Sequence, residues 1–416
     1  MKSRRPGVAG VLLAGAVSLA LSACASAGAG ASGSSSSGIT IGMIGPMTGV
    51  RADVGAGMTS GAKIALATVN ADGGVLGHKV SLEVQDDAGD PGDAVPAADQ
   101  EISNNVSAIV GPTALTASVV LPLALKAKIP DLMWGGGSAF DRDTDPDFFR
   151  MTVSDSAQAE AMVLYAHKKG WNRVALAIGN QSADQSLTPP LIETAKRLGM
   201  TITGQVTIAI NSTSFRSEIS KLYSGHPQAI LSQFDIPSAG VMFSELKQQG
   251  LTSTPWVASN LWYASEFFHS VGAGAATGPV YIVNPGTGGP GEQDFLKAMK
   301  AQTGKTQPTN GQEIEWDSVT AWALGALEAK TFATPQIEKG ILKAADGPGT
   351  VCYDFKACAT LLKSGKAINF NGAASTVDFN KYHNVFGPFE ILHYTKSGSV
   401  QTLDEITGKQ IAATVK

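Results

Sequence analysis

The most constraining feature of this chain is an alternation of two hydrophobic periods that begins at Ile39 and restarts once. Residues 39–44 form a short β-branched, apolar run that stops at Gly45-Pro46. Ala62, Ala65, Leu66 and Val69 then recur at i, i+3, i+4 and i+7, which is one face of a helix, and Gly73-Gly74 ends it. A second strand is expected over 80–84, a helix around 95–102, and a third strand over 108–110 before Gly111-Pro112. Strands separated by helices cannot pair as hairpins, so the alternation implies parallel βαβ units around a buried sheet.

The pattern starts again after about residue 153. Helices are expected over 156–169, from Thr188-Pro189 to Leu198, over 215–223 and over 238–249. Strands are expected over 173–178, 201–208, 229–233 and 256–258. Thr188 reads as a helix cap with Pro189 at the first helical position. Beyond about residue 280 the segments change: long amphipathic helices over 293–301 and 313–330, then strand-like runs over 376–379 and 389–394. The fold class is therefore α/β, with two doubly wound, Rossmann-like lobes and a chain that returns between them.

The first residues are read separately. Lys2, Arg4 and Arg5 precede a short apolar run over 8–21, and Leu21-Ser22-Ala23-Cys24 follows. The run is too short to rest as a membrane-spanning helix and reads as an export signal over 1–23. Its last four residues resemble the bacterial lipobox, which implies lipidation of Cys24 and attachment to the bilayer on the extracytoplasmic face. An ordinary secretory signal with a Cys near its cleavage point is the alternative. Residues 24–38 are nearly all Ala, Ser and Gly beyond the Cys, a flexible tether. In an oxidising compartment the remaining cysteines, Cys352 and Cys358, are expected to pair; two free thiols are the alternative, and a metal site is the poorest reading.

Net charge is -4, with 16% charged and 43% hydrophobic residues, which leaves no basic footprint for nucleic acid. Enzyme signatures fail individually. Gly304-Lys305-Thr306 ends like a P-loop, yet Met299 stands where its first Gly belongs. Gly286, Gly288 and Gly291 satisfy GxGxxG spacing, but Pro290 interrupts them and no acidic partner follows. No HExxH or GxSxG occurs, so no catalytic residue, metal or cofactor is expected. In open parallel sheets solutes bind beyond the carboxyl ends of strands. The loops expected there, 46–54, 111–117 and 135–140 in the first lobe, are rich in Gly, Thr and Ser. Those of the second lobe, 179–187, 234–238 and 259–263, add Trp262 and Tyr263 as aromatic walls. Such linings suit a small polar solute.

Several segments are specific enough to suggest a family. IGMIGPMTG over 41–49, NADGGVLGHKVSLEVQDDAGDP over 70–91 and AIVGPTALTAS over 108–118 carry the likeness, as do AKIPDLMWGGGS over 127–138 and LKQQGLTSTPW over 246–256. VDFN over 377–380 fits a late crossover. The chain resembles the type I periplasmic binding proteins of ABC importers, in the leucine/isoleucine/valine-binding group of branched-chain amino acid and amide transport. The resemblance implies lobes of 39–152 plus 284–386 and 153–283 plus 387–416. Three hinge crossovers near 152, 284 and 387 would join them, and a solute would be held between by closure. It further implies delivery to a permease and its ATPase, a monomer and no enzyme activity; a sensor signalling to a membrane partner is the alternative.

For the site, the resemblance implies that the hydroxyls of Thr113, Thr116 and Ser138 and the amides of Ala114, Gly136 and Gly137 hold a solute carboxylate. Departures from the family pattern occur at Val54, Leu115, Ala183, Asp235 and Asn260. Asn260 stands where the family has an acid for the solute ammonium. Either Asp235 takes that role or the solute has no α-ammonium.

Overall fold

A computed structural model describes residues 38–286 and 288–415. Cys24, the signal and most of the tether lie outside the described residues. The first set of elements is β1 (Ile39–Gly45), α1 (Ala52–Ala71), β2 (Val80–Asp86), α2 (Pro91–Ser103), β3 (Ile109–Thr113), α3 (Ala117–Ala127), β4 (Asp131–Trp134) and β5 (Phe148–Arg150). All pair in parallel in the order β2-β1-β3-β4-β5. Local chemistry fixes the helix starts and stops. Asp90 caps α2 by accepting from the Gly92 N–H, with Pro91 at the first helical position. Gly74, beyond α1, has φ +80°, and a β-carbon there would collide with the His78 carbonyl.

The second set is α4 (Asp155–Lys168), β6 (Arg173–Gly179), α5 (Ser182–Gln185), α6 (Thr188–Arg197), β7 (Thr201–Ile208), α7 (Arg216–Ser224), β8 (Ala229–Gln233), α8 (Ile236–Gln248), β9 (Trp256–Ser259), α9 (Ser265–Val271), α10 (Ala273–Ala276) and β10 (Val280–Pro285). Its parallel strands run β7-β6-β8-β9-β10, so each sheet has the order second-first-third-fourth-fifth. This is one topology used twice, with a strand-order reversal, and hence a binding crevice, in each copy. The rest comprises α11 (Glu292–Thr303), α12 (Gln312–Ala329), α13 (Thr334–Ala345), β11 (Thr350–Cys352), α14 (Phe355–Lys363), β12 (Ile368–Phe370), β13 (Phe389–Tyr394), β14 (Val400–Ile406) and α15 (Gly408–Val415). β13 and β14 extend the second sheet antiparallel, while β11 and β12 form a small parallel pair.

Two expectations fail locally, and one strand goes unannounced. Thr188 is not a cap: Leu187 is already in helical conformation, and the Leu191 N–H bonds its carbonyl, so the turn of α5 runs into α6. No strand forms over 376–379, because Val377 has φ +55° and the Phe379 N–H donates to the Asp346 carboxylate instead of a ladder. Phe379 makes only an isolated bridge to Val385. Conversely β14, with an exposed and largely polar sequence, has no apolar pattern to announce it.

The central strands of both sheets are covered on both faces, which is why β1, β3, β6 and β8 read as largely apolar runs rather than alternating. The first sheet's larger core is built on α1 and α12, with Met58, Trp316 and Trp322 fully buried. Each such side chain stabilises by roughly 1.5–3 kcal/mol or more. Cys352 and Cys358 are disulfide-bonded and tie β11 to α14.

The chain passes between the two sheets three times: after β5, after β10 and before β13. The passages bond to one another. Arg150 N–H donates to His383 O at 2.8 Å, Val385 N–H donates to Arg150 O at 3.2 Å, and Gly286 N–H donates to Pro388 O at 2.8 Å.

Candidate functional site

At the carboxyl ends of β1, β3 and β4 lies a cavity of about 270 Å³. Thr113, Ala114 and Gly136, three of the six expected first-lobe residues, line it. Thr113 is 8% exposed, and its Oγ1 is buried without a hydrogen-bond partner. An unsatisfied buried hydroxyl costs about 1–3 kcal/mol, so this atom is poised to gain from a solute.

The other three expected residues do not line this cavity. Thr116 is fully buried, and its Oγ1 donates to Asp87 Oδ2 at 2.6 Å, which anchors the start of α3. The Gly137 carbonyl accepts from Arg150 Nη2 at 3.0 Å. Ser138 borders a separate cavity of about 440 Å³ beside Asp141, Arg142 and Ser154.

Arg51, inside the expected loop 46–54 though not singled out there, and Asp155, not anticipated from sequence, line the first cavity. Arg51 precedes α1, is exposed, and has no ion pair with any described residue. Asp155 opens α4 directly after the cap Ser154. Its N–H donates to Gly136 O at 2.7 Å, and its carboxylate lies so close over Gly136 that a β-carbon there would force the Asp155 side chain to shift. Burial pushes the Asp155 carboxyl above the usual range, Arg150 opposes that, and Asp141 adds to it.

A larger cavity of about 600 Å³ adjoins, sharing Thr152, Val153 and Pro285 with the first. All three chain passages border it: Thr152 and Val153, Asn284 to Gly286, and Gly387-Pro388. Glu292, Asn310 and Glu313 close one side, and Asn260 and Tyr263 the other. Burial pushes Glu313 up to about 7, and the nearby Glu292 adds to the rise.

Asn260 lines this larger cavity with defined polarity. Gln158 Nε2 donates to Asn260 Oδ1 at 3.1 Å and to Val283 O at 2.8 Å. The Asn260 oxygen thus has one of its two lone pairs engaged, and both that oxygen and the NH₂ remain for a solute. Asp235 lines neither cavity. It caps α8, Oδ1 accepting from the Ser238 N–H at 2.9 Å, while Oδ2 is buried without a partner. Its neighbour Asp184 is raised by burial, which a Gln233 hydrogen bond opposes and Asp235 reinforces.

Trp262 is not an aromatic wall. It is fully buried in the second sheet's core, stacks on Phe267 with centroids 4.7 Å apart, and donates its indole N–H to Phe234 O at 2.9 Å. The turn Asn260–Trp262 is a 3-10 helix, in which positions three apart share a side. Asn260 and Tyr263 therefore reach the cavity together while Trp262 turns inward. Among the described residues no cluster of three His, Cys, Asp or Glu suits a metal ion, and no helix is long and apolar enough to cross a membrane.

Twin sheets of one parallel topology, three bonded passages and a cavity bordered by all three define a two-lobed, type I periplasmic-binding fold. Residues 38–351 match the family model described as periplasmic binding protein. The chain belongs to that family. It is 26% identical over 342 residues to the Leu/Ile/Val-binding protein BraC3 of Rhizobium johnstonii, covering 79% of this chain and 84% of that one. A leucine binding protein from Thermotoga maritima superposes with TM-score 0.65 at 21% identity, covering 89% of this chain and 99% of the other. A fatty acid ABC transporter substrate-binding protein from Thermomonospora curvata does so with TM-score 0.60 at 17% identity, covering 90% and 94%. The same fold thus serves proteins named for unlike solutes, and the ligand must be argued from the site. The family's members are binding proteins, in keeping with the missing enzyme signatures.

Proposed function

We propose that this chain captures a small polar solute between lobes 39–152 plus 284–386 and 153–283 plus 387–416, closes on it by hinge motion, and delivers it to an ABC permease and its ATPase. The carrying observation is the cavity bordered by all three passages, next to a smaller one holding the unsatisfied Thr113 hydroxyl. A solute touching both halves stabilises the closed arrangement by its differential affinity for it. The names of the relatives favour an amino acid or a related compound. Lipidation of Cys24 would hold a monomeric binding protein at the extracytoplasmic face of the membrane.

Mass spectrometry of solutes released on denaturing the purified full-length protein, with a thermal-shift panel of amino acids and amides, tests the reading. A solute at 100 times its Kd stabilises by about 2.7 kcal/mol. No released solute and no shift with any panel member would overturn it. Incorporation of labelled palmitate, lost in Cys24→Ala, tests the anchor.

A further inference from the structure

On the second sheet, at the end away from the cleft, lies a cavity of about 550 Å³ that shares no lining residue with any cavity described above. It sits at the amino ends of β9 and β10, whose first residues, Trp256 and Val280, line it. Its size is that of an ordinary small-molecule site. The sequence leaves this space open. Gly240 lets α8 approach α9, since a β-carbon there would collide with Ser270. Past Ser270, the lining residues 271–275 and 278 are Val, Gly, Ala, Gly, Ala and Gly, which bring no side chain larger than Val to fill it.

The wall is apolar and the charge one-sided. Phe243, Leu246, Trp256 and Val280 are buried along it, and half-buried Leu251 and Val271 extend the apolar surface. The chain holds more acidic residues, 35, than Lys and Arg, 31, yet no acid lines this cavity, whereas Lys247 and His269 do. Both are exposed, and neither has an ion pair with a described residue. Phe243, Ser244, Gly250 and Leu251 occupy the positions three and four away from Lys247, so no acid is within helical reach of it. Nearby Glu245 is committed elsewhere, accepting from Ser214 Oγ at 2.7 Å and from the Phe215 N–H at 2.8 Å.

We propose that this cavity is a second binding site, separate from the cleft, for a small carboxylate with an apolar body. The body lies against the wall that Phe243, Leu251 and Val271 help to form. The carboxylate meets the unpaired Lys247 ammonium, and His269 supplies a second donor at the same cavity. An ammonium in place of the carboxylate is repelled, and a neutral amide leaves Lys247 unpaired, so charge selects the ligand. The length of the body sets how tightly it is held.

The test is calorimetric titration of the full-length protein with octanoate, hexanoate, octanamide and octylammonium. Wild type is expected to bind octanoate, and hexanoate roughly 15-fold more weakly, because each buried methylene adds about fourfold. Octanamide and octylammonium bind at least about fivefold more weakly than octanoate. Lys247→Gln weakens octanoate at least about threefold and leaves octanamide within about twofold, while Lys247→Arg keeps octanoate within about twofold of wild type. Ser244→Trp, on the exposed side of α8 one turn before Lys247, obstructs the cavity and abolishes octanoate binding. Three results overturn the proposal: no octanoate binding up to millimolar concentration, an amide or ammonium that binds as tightly as octanoate, or octanoate affinity unchanged in both Lys247→Gln and Ser244→Trp. The last of these puts octanoate outside this cavity. Should Ser244→Trp fail to fold by circular dichroism, the two Lys247 variants and the analogue series on wild type decide alone.

Discussion

Gly136 and Asp155 belong to opposite sides of the first chain passage, yet they are joined twice: by the Asp155 N–H on the Gly136 carbonyl at 2.7 Å, and by the carboxylate lying over the Gly136 α-carbon. A methyl group at 136 has no room unless the Asp155 side chain moves. Gly136→Ala is therefore expected to displace Asp155, weaken solute affinity at least about tenfold, and cost about 1–3 kcal/mol of stability from overpacking. Calorimetry and urea unfolding on the same sample separate the two effects. Wild-type values for both would show that the carboxylate is free to swing away.

Trp262 and Tyr263 should separate stability from binding. Trp262→Ala empties a core site between Phe234 and Phe267 and is expected to cost about 3–5 kcal/mol in urea unfolding. Tyr263 is 49% exposed at the larger cavity, so Tyr263→Ala is expected to change unfolding by no more than about 0.5 kcal/mol. Its effect should appear in the solute Kd. The reverse pattern would return Trp262 to the cavity wall.

Asp235→Ala is expected to remove a helix cap, lowering stability by about 0.5–2 kcal/mol, with relief of repulsion at Asp184 offsetting part of it. Solute affinity should stay within about twofold, since Asp235 lines neither cavity. A large affinity loss with unchanged unfolding would instead make Asp235 a solute contact.

Buried acids set the pH dependence. Burial, with a lesser contribution from Glu83, pushes Glu101 up to about 8 from an ordinary 4.5. Burial likewise pushes Asp317 up to about 8, although the Ala373 and Ala374 N–H groups that it accepts from favour its ionised form. Between those ordinary values and about 8 the native protein holds protons that the unfolded chain has released. Stability contributed by these groups is therefore greatest on the acid side and is lost as pH rises through about 8. Thermal unfolding should show Tm falling from about pH 5 to about pH 9, less steeply in Glu101→Gln, which keeps the shape and removes the ionisation. Equal slopes in the two proteins would rule Glu101 out as a contributor.

The architecture was readable because the central strands of each sheet are buried on both faces, which writes strands as apolar runs and helices as periodic stripes. β14 and residues 376–379 escaped for the complementary reason: one pairs through its backbone while its side chains stay wet, and the other is apolar but bent away at Val377. In the site, Thr113, Ala114 and Gly136 came from matched motifs. Arg51 and Asp155 did not, because each looks locally like something ordinary, a loop cation and a first-turn helix acid. Only the folding of the first passage onto Gly136 makes them face one cavity. Trp262 was misplaced by one position, since aromaticity says nothing about which side of a 3-10 turn faces out.

The three passages between the sheets are laced together through Arg150, His383 and Val385 on one side and Gly286 and Pro388 on the other. Their mechanical meaning is that of a leaf spring rather than a swivel. Bending across the laced strip leaves its rungs intact, whereas twisting or sliding shears them, so the hinge closure proposed above would follow one path with one mouth. A single cut by a protease in any one passage leaves two tethers and part of the lacing, so a nicked chain is expected to stay in one piece.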